Sequence, residues 1–362
     1  MNKSGYLAQY KKKQQPFVFG LCFLCTGFFA VLPDLAFARL QNEAALELLH
    51  PDYRNQLTEV SQLVDKIGFA DITAENYKKV RIAEAAQIKK PAPIPVVSQK
   101  TIPGAEGEPD VSIRLINSLA GDAKPVILYM HGGGFVLGSA ALYLPNMQKI
   151  AEKYNCTVVM VEYRLAPETP FPGALEDNYA ALKYLYNNAS ELGIDKDHIV
   201  LMGHSAGGGH AAMLAIAARD RAEIPVKHQV LIFPMLDDRT GSSRTVPAHI
   251  GQLLWTPTSN AFGWSALLGQ KAGMSEVPYG SVPARVTDLS KLPPTDIVVG
   301  AIDLFVEEDM EYAKRLILSG VPTEIHVLPG MFHASETIYP DAAISKRFSE
   351  LESEAIARAL RK

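Results

Sequence analysis

The spacing of hydrophobic positions changes partway along the chain and divides the predicted structure in two. From Arg39 to about Pro91, apolar residues recur every three or four positions, which is the spacing of one face of an α-helix. The prolines within 91–95 then interrupt any helix and indicate a linker. We therefore predict an N-terminal helical region over 39–95 and a second region over 96–362 with a different architecture.

Short apolar runs alternate with helical patterns through the second region. The run 125–130 is continuously apolar, which is typical of a strand buried on both faces. Regular alternation of strands and helices predicts an α/β fold with a mainly parallel central sheet flanked by helices. The predicted strands are 96–102, 111–119, 125–130, 157–161, the run that leads into Ser205, 230–233, 297–299 and 323–328. The predicted helices are 142–154, 174–189, 206–218 and 307–319.

One apolar segment, about 237–279, interrupts this alternation. It contains both tryptophans of the chain and follows a predicted strand. Together with the region 39–95, we expect it to form a helical cap over the carboxyl end of the sheet, where ligands of such folds bind. Plain packing against the core is the alternative.

The first residues have a pattern of their own. Lys11, Lys12 and Lys13 precede an apolar run over 17–32, and small residues follow at 36–38. This arrangement predicts a secretory signal peptide over 1–38, and therefore a secreted or periplasmic protein. An uncleaved membrane anchor is the alternative, but the run is short for a bilayer, so we expect no stable membrane span in the mature chain.

Charge and cysteine content exclude several functions. The net charge of −4 offers no basic surface, so nucleic-acid binding is not expected. Two of the three cysteines lie within 1–38, which leaves Cys156 without a partner for an intramolecular disulfide. No cluster of histidines, cysteines or carboxylates has metal-ligand spacing, so we expect neither a metal nor a cofactor. The sequence leaves a homodimer open.

Candidate chemistry is concentrated where the apolar run 199–202 meets a serine between small residues. The strand-like run, the turn and the alanine-rich helical pattern that follows are the context of a nucleophile elbow. A serine on such a turn needs residues without side chains two positions before and after it. A phosphate-binding loop is less consistent with the sequence, because no lysine follows the glycines. The elbow reads Gly203-His204-Ser205-Ala206-Gly207.

A serine nucleophile requires a base and a group that orients the base. Asp303 follows the predicted strand 297–299, and His333 follows the strand 323–328. The carboxyl ends of parallel strands meet at one edge of a sheet, and the order Ser, Asp, His is that of α/β-hydrolases. We predict Ser205 as nucleophile, His333 as base and Asp303 as the orienting acid.

Other titratable residues fit these roles less well. His326 lies inside a predicted strand, and His210 lies in the helix after the elbow. His204 is next to the serine, but its side chain is expected to point away from the line of attack. Asp296 precedes its strand and would lie at the opposite end of the sheet. The acids of 307–309 resemble the first turn of a helix, where negative charge is favourable.

Two backbone segments are candidates for an oxyanion hole. The amide of Ala206 begins a helix directly after the nucleophile, where unpaired N–H groups carry partial positive charge. Earlier, the glycines of His131-Gly132-Gly133-Gly134-Phe135 follow a buried strand and let the backbone approach a substrate closely. We expect this second segment to be the oxyanion loop. His131 is expected to organise the loop by hydrogen bonding.

These motifs, 131–135 and 203–208, resemble those of the hormone-sensitive-lipase-like family of carboxylesterases. The resemblance implies an α/β-hydrolase fold with a helical cap, and an oxyanion hole made by the amides of Gly133, Gly134 and Ala206. It runs from about Pro125 to Phe348, with departures from the family pattern at 204, 304 and 334–335. Further matching segments are 162–168, 171–172, 174–177, 288–294 and 320–322.

The expected activity is therefore that of a serine carboxylesterase. Its substrates would be small esters of short-to-medium acyl chains, cleaved through an acyl-enzyme. A lactonase or an amidase with the same triad is an alternative, because the residues that select the substrate would lie in the cap. A ligand-binding relative without catalysis is a further alternative, although such proteins usually lose a triad member.

Overall fold

The computed structural model describes residues 43–54 and 71–361. The predicted signal peptide, 1–38, lies outside these residues, as do 55–70 of the N-terminal helical region. Among the described residues, no helix combines the length and the apolar character needed to cross a bilayer.

A single sheet of eight strands forms the centre of the fold. Its strands are β1 Val97–Ile102, β2 Val111–Ile116, β3 Lys124–Met130, β4 Thr157–Glu162, β5 Ile194–His204, β6 His228–Ile232, β7 Thr295–Gly300 and β8 Thr323–Leu328. They are arranged in the order β1-β2-β4-β3-β5-β6-β7-β8. β2 is antiparallel to both of its neighbours, and the pairs from β4 through β8 are parallel. The predicted mainly parallel α/β architecture is confirmed.

Helices precede the sheet and connect its strands. In chain order they are α1 Glu43–Leu48, α2 Pro51–Arg54, α3 Tyr77–Ala85, α4 Ala140–Tyr154, α5 Gly173–Asn187, α6 Ala189–Leu192, α7 Ala206–Arg221, α8 Pro257–Leu268, α9 Val306–Leu318, α10 Ser335–Ile338 and α11 Ala343–Ala359. A short 3₁₀ helix, Pro283–Arg285, follows α8.

The sheet separates two hydrophobic cores. Alternate residues of β3 point to opposite faces, so that Val126 and Leu128 join one core while Ile127 and Tyr129 join the other. α5, α7 and α9 contribute to the first core, and α4 and α11 to the second. Because both faces are covered, the strands are apolar throughout, as the sequence pattern indicated.

Close packing of α7 on the sheet depends on small residues. A Cβ atom at Gly207 would lie 2.1 Å from the carbonyl oxygen of Met130, at the end of β3. Since no side chain fits there, the start of α7 is held close to the backbone of the strand. The helix N-terminus is thereby positioned at the carboxyl edge of the sheet.

The segment 237–279 is mostly irregular and contains α8. The side chain of Thr256 caps this helix by accepting a hydrogen bond from the Ser259 amide at 3.2 Å. Trp264 is fully buried, and its ring meets the edge of Phe135 at 4.8 Å between centroids. The segment therefore packs directly on the predicted oxyanion loop. Its role as a cap stays a prediction.

The described N-terminal residues divide between two places. The Ile72 amide donates to Ser259 Oγ at 2.8 Å, and the rings of Tyr77 and Phe262 lie 5.8 Å apart, so this part packs against α8. Residues 43–54 instead pack beside the segment after β8, where the His50 amide donates to the carbonyl of Gly330 at 3.1 Å. Both contacts lie on elements that carry the candidate site.

Candidate active site

Ser205 occupies the turn between β5 and α7 in a conformation that few residues other than glycine adopt. Its φ of 56° and ψ of −123° are strained, with a free-energy cost of about 1–3 kcal/mol. Hydrogen bonds to β6 and to the segment that follows it hold this backbone in place. The Ser205 amide donates to Ile232 at 2.9 Å, and its carbonyl accepts from Met235 at 3.0 Å.

The glycines of the elbow are required by the tightness of the turn. A Cβ atom at Gly203 would lie 2.1 Å from the carbonyl oxygen of Gly207. Any side chain at Gly203 would therefore push the strand away from the start of α7. This close approach is the physical reason for the Gly-x-Ser-x-Gly spacing.

The structure brings the three predicted triad residues together. His333 Nε2 lies 3.0 Å from Ser205 Oγ, and His333 Nδ1 lies 2.8 Å from Asp303 Oδ2. The other carboxylate oxygen of Asp303 accepts from the Phe305 amide at 3.0 Å. Because Asp303 accepts the Nδ1 proton, the lone pair of Nε2 faces the serine hydroxyl. This geometry is suited to removing the proton of Ser205.

Aromatic rings surround the imidazole of His333. The Phe233 ring meets it edge-on at 4.8 Å between centroids, and Phe305 does so at 5.1 Å. His333 is 5% exposed and Asp303 is 1% exposed. The packing limits rotation of the imidazole and keeps water from competing for its hydrogen bonds.

The loop after β3 lies beside the serine, as predicted for an oxyanion loop. A Cβ atom at Gly132 would be 3.4 Å from the Cβ of Ser205. Gly133 and Gly134 have φ values of 127° and 59°, which residues with side chains rarely adopt. Ala206 begins α7 directly after Ser205. The oxyanion roles of Gly133, Gly134 and Ala206 stay predictions.

His131 organises the loop from within the protein. Its Nδ1 lies 2.8 Å from the carbonyl oxygen of Gly132, and its ring stacks on Tyr163 at 4.2 Å. The Tyr163 hydroxyl donates to the His131 carbonyl at 2.6 Å. Burial lowers the pKa of His131 to about 4, so the ring is neutral near pH 7.

His210 is buried behind the same loop, and the effect of its burial on its protonation can be tested. Neither ring nitrogen has a hydrogen-bond partner among the described residues, and burial lowers the pKa to about 3. The unfolded chain, with an ordinary histidine pKa of 6.5, therefore binds the proton first as the pH falls. We expect stability to fall below about pH 6.5, by about 1.4 kcal/mol per pH unit for this residue.

His210→Phe should make that loss shallower, because phenylalanine cannot take up a proton in the unfolded state. The measurement is the free energy of unfolding in urea at several pH values between about 4 and 7. An equal pH dependence of the variant and the wild type would contradict the prediction.

Other residues considered from the sequence lie away from the triad. His204 points away from the Ser205 side chain, with Nδ1 at 3.1 Å from the Tyr129 hydroxyl and Nε2 at 3.1 Å from Glu352. Asp296 pairs at 2.6 Å with His228 near the opposite end of the strands. In the described part of the chain, neither the Asp296 nor the His204 side chain forms a hydrogen bond with Ser205.

One buried contact beside the candidate site could not be predicted from the sequence. Glu308 does lie in the first turn of α9, as predicted, but its side chain is buried rather than solvated. Its Oε1 accepts from the amides of Leu236 and Asp237 at 2.7 and 3.1 Å, which holds the chain after β6 beside the site. Burial raises the pKa of Glu308, and the nearby charge of Asp237 adds to the rise. The sequence offered one weak signal for the burial of Glu308, namely its position five residues after Asp303. That spacing is equally consistent with a solvent-exposed first turn of a helix.

The chain is similar in sequence to a known protein family and to several named esterases. The family described as the alpha/beta hydrolase fold matches residues 127–337. Esterase LipI of Mycobacterium tuberculosis is 35% identical over 211 residues, which are 58% of this chain and 65% of that protein. Carboxylesterase NlhH of the same organism is 33% identical over 267 residues, 72% of this chain and 83% of that protein. The chain thus covers slightly less than two thirds of LipI but more of NlhH.

A solved structure is similar over a larger part of the chain. The structure titled bacterial heroin esterase has a TM-score of 0.77 and 35% sequence identity, and the match covers 88% of this chain and 99% of that one. Esterase LipW from Mycobacterium marinum has a TM-score of 0.71 and 32% identity over 88% of this chain and 98% of that one. Both similarities extend beyond the sheet to most of the fold.

Proposed function

The chain belongs to the alpha/beta hydrolase family, and we propose that it is a serine carboxylesterase with a Ser205-His333-Asp303 triad. The proposed substrates are small esters with short-to-medium acyl chains. The observation that carries the proposal is the continuous hydrogen-bonded series from Asp303 through His333 to Ser205, with distances of 2.8 and 3.0 Å. The names of the similar proteins support ester hydrolysis over other reactions of such a triad.

Acylation begins with the serine hydroxyl. Ser205 Oγ attacks the ester carbonyl carbon while His333 Nε2 takes its proton, and Asp303 stabilises the resulting imidazolium. The carbonyl oxygen becomes an oxyanion, which the amides at 133, 134 and 206 would hold. When the intermediate collapses, the bond to the alcohol breaks and His333 returns the proton to the leaving oxygen.

Deacylation repeats these steps with water. His333 takes a proton from the water molecule, whose oxygen attacks the acyl carbon. Collapse of the second intermediate returns the proton to Ser205 Oγ and releases the carboxylic acid. Neither half of the cycle requires a group besides the side chains and amides named here.

The surroundings of Gly134 support a preference for small acyl groups. Trp255 lies against this glycine, because a Cβ atom at Gly134 would be 1.9 Å from Cη2 of the indole. The indole nitrogen is anchored 3.2 Å from Asn260 Oδ1, and the ring lies 6.5 Å from that of His333. A large, fixed ring beside the reacting groups limits the room for substrate.

Trp255→Ala is expected to broaden the range of acyl chains. Removing the indole opens space beside Gly134, so kcat/KM for a long-chain ester should rise relative to acetate by about tenfold, in line with the worth of a few methylenes in an apolar pocket. The measurement is kcat/KM for p-nitrophenyl acetate, butyrate, octanoate and palmitate. An unchanged ratio between long and short esters would show that Trp255 does not limit the acyl site.

The same series of esters, used with the wild-type protein, tests the proposed function. Hydrolysis that declines as the acyl chain lengthens would agree with a carboxylesterase for short-to-medium chains. Matched lactone and amide substrates test the alternatives. Turnover of a lactone or an amide in excess of every ester would overturn the proposal in favour of a lactonase or an amidase.

A further inference from the structure

The oxyanion loop is held by two side chains from a helix that precedes the catalytic fold. Arg81 Nε, on α3, donates to the carbonyl oxygen of Val136 at 2.7 Å. One turn later on the same helix, Glu84 Oε2 accepts from the amide of Gly138 at 3.0 Å. Each side chain thus satisfies a backbone group within 136–138, the residues that continue the predicted oxyanion loop 131–135 toward α4.

The loop has no regular secondary structure that would keep its shape. Gly133, Gly134, Phe135 and Gly138 all have positive φ, so the backbone cannot form a regular strand or helix. Within the loop, the carbonyl of Gly133 accepts from the amides of Val136 and Leu137, three and four residues later, at 3.1 and 2.8 Å. Backbone groups of an irregular buried loop need partners elsewhere, and α3 supplies them.

Arg81 connects the loop to a second backbone segment. Its Nη2 donates to the carbonyl of Ala166 at 2.8 Å, and the Ala166 amide donates to the carbonyl of Phe135 at 3.0 Å. Glu168 fixes the guanidinium with two hydrogen bonds of 3.0 and 2.9 Å. The planar guanidinium of Arg81 therefore bonds to both backbone segments at once, at Val136 and at Ala166. A lysine ammonium group cannot reproduce this arrangement.

α3 is itself anchored, so that it can serve as a support. The ring of Tyr77 packs on Phe262 of α8, and Arg81 lies 4.8 Å above the same ring. Lys79, on the same helix, is exposed and has no side-chain partner in the described part of the chain, so it does not support the loop.

We propose that Arg81 and Glu84 are positioning residues for the oxyanion hole, which hold the amides of Gly133 and Gly134 in line with Ser205. The inference rests on the proposed function, because it assumes that these amides bind the oxyanion. Small displacements of such donors reduce transition-state stabilisation without removing any catalytic group. Their hydrogen bonds go to backbone groups and to Glu168 rather than to a triad residue, so both residues would act through the loop.

The test compares two substitutions at Glu84. Glu84→Gln keeps an oxygen that can accept from the Gly138 amide, whereas Glu84→Met has a similar shape and no such acceptor. We expect Glu84→Met to lower kcat by about tenfold with little change in KM, since removal of a whole oxyanion donor costs about 10²–10³-fold. Glu84→Gln should stay within about threefold of wild type, and Lys79→Ala is the matched control on the same helix.

A second readout separates positioning from loss of stability. An arylboronic acid forms a tetrahedral adduct with the serine and mimics the intermediate, so its affinity should fall in Glu84→Met by the same factor as kcat. Urea unfolding near neutral pH should show a cooperative transition for Glu84→Met, which would establish that the variant is folded. Unchanged kcat in Glu84→Met, or lowered kcat with unchanged boronate affinity, would overturn the inference.

Arg81→Lys keeps the proposal testable if Glu84→Met does not fold. A single ammonium group cannot bond to both Val136 and Ala166, so kcat and boronate affinity should fall together by about threefold or more. Full activity of Arg81→Lys would then count against the inference. Absence of ester hydrolysis in the wild type and in Lys79→Ala would instead show that the proposed function itself is wrong.

Discussion

Ser205→Ala is expected to lower kcat for p-nitrophenyl acetate by about 10⁵–10⁶-fold, which is the largest effect of any single substitution here. The variant lacks the oxygen that would form the acyl-enzyme, and among residues 43–54 and 71–361 no other hydroxyl bonds to His333 Nε2. Residual hydrolysis would come from the oxyanion hole and substrate binding alone. The measurement is kcat under saturating ester, with the wild type at the same pH.

Ser139→Ala is a matched control for this substitution. Ser139 also follows a loop at the carboxyl edge of the sheet, and its hydroxyl is buried without a hydrogen-bond partner among the described residues. Its removal should change kcat by less than about twofold. Near-normal turnover by Ser205→Ala would refute both the triad and the acyl-enzyme.

Asp303→Asn should lower kcat by about 10⁴-fold near neutral pH, the second largest effect expected. The amide nitrogen cannot accept the Nδ1 proton of His333, so the imidazole would adopt the tautomer in which Nε2 carries the proton. It then no longer removes the proton of Ser205. The carboxylate charge that stabilises the imidazolium would also be lost.

Asp309→Asn provides the matched control on the helix that follows Asp303. Both carboxyl oxygens of Asp309 are buried without a partner among the described residues. Burial raises the pKa of this carboxyl well above its usual range, and the charges of Glu308 and Asp303 add to the rise. The amide has nearly the same shape as the carboxyl group and Asp309 bonds to no triad residue, so we expect a change in kcat of less than about threefold. Equal losses in the two variants would assign the effect of Asp303→Asn to packing rather than to proton transfer.

Much of the fold follows from short stretches of sequence. The apolar run 125–130 corresponds to β3, and the alternation of strands with helical patterns correctly indicated a parallel sheet with both faces covered. The observed ends of some strands differ from the predicted ones by a few residues. For example, β7 extends beyond its predicted range 297–299 in both directions. Terminal residues of a strand are determined by pairing with neighbours, which periodicity does not report.

The meeting of the candidate triad residues was also accessible, although Asp303 and His333 are 30 positions apart. Both follow strands that run in the same direction, so the topology of the sheet places them at one edge. A local motif then identified Ser205, because its turn tolerates only glycine at 203 and 207. The spatial arrangement was predictable wherever it depended on strand direction and on backbone geometry.

The sequence by itself determined the α/β architecture, the elbow at Ser205 and the order of the candidate triad, since periodicity and glycine spacing reflect backbone requirements that act within a few residues. Only the tertiary structure decided that Trp255 lies on Gly134, that Arg81 and Glu84 bond to the backbone of the loop after β3, and that the acid at 308 is buried. These contacts join side chains far apart in the chain, and their geometry depends on how whole elements pack. No local pattern encodes that packing, because the same helical spacing is compatible with many partners.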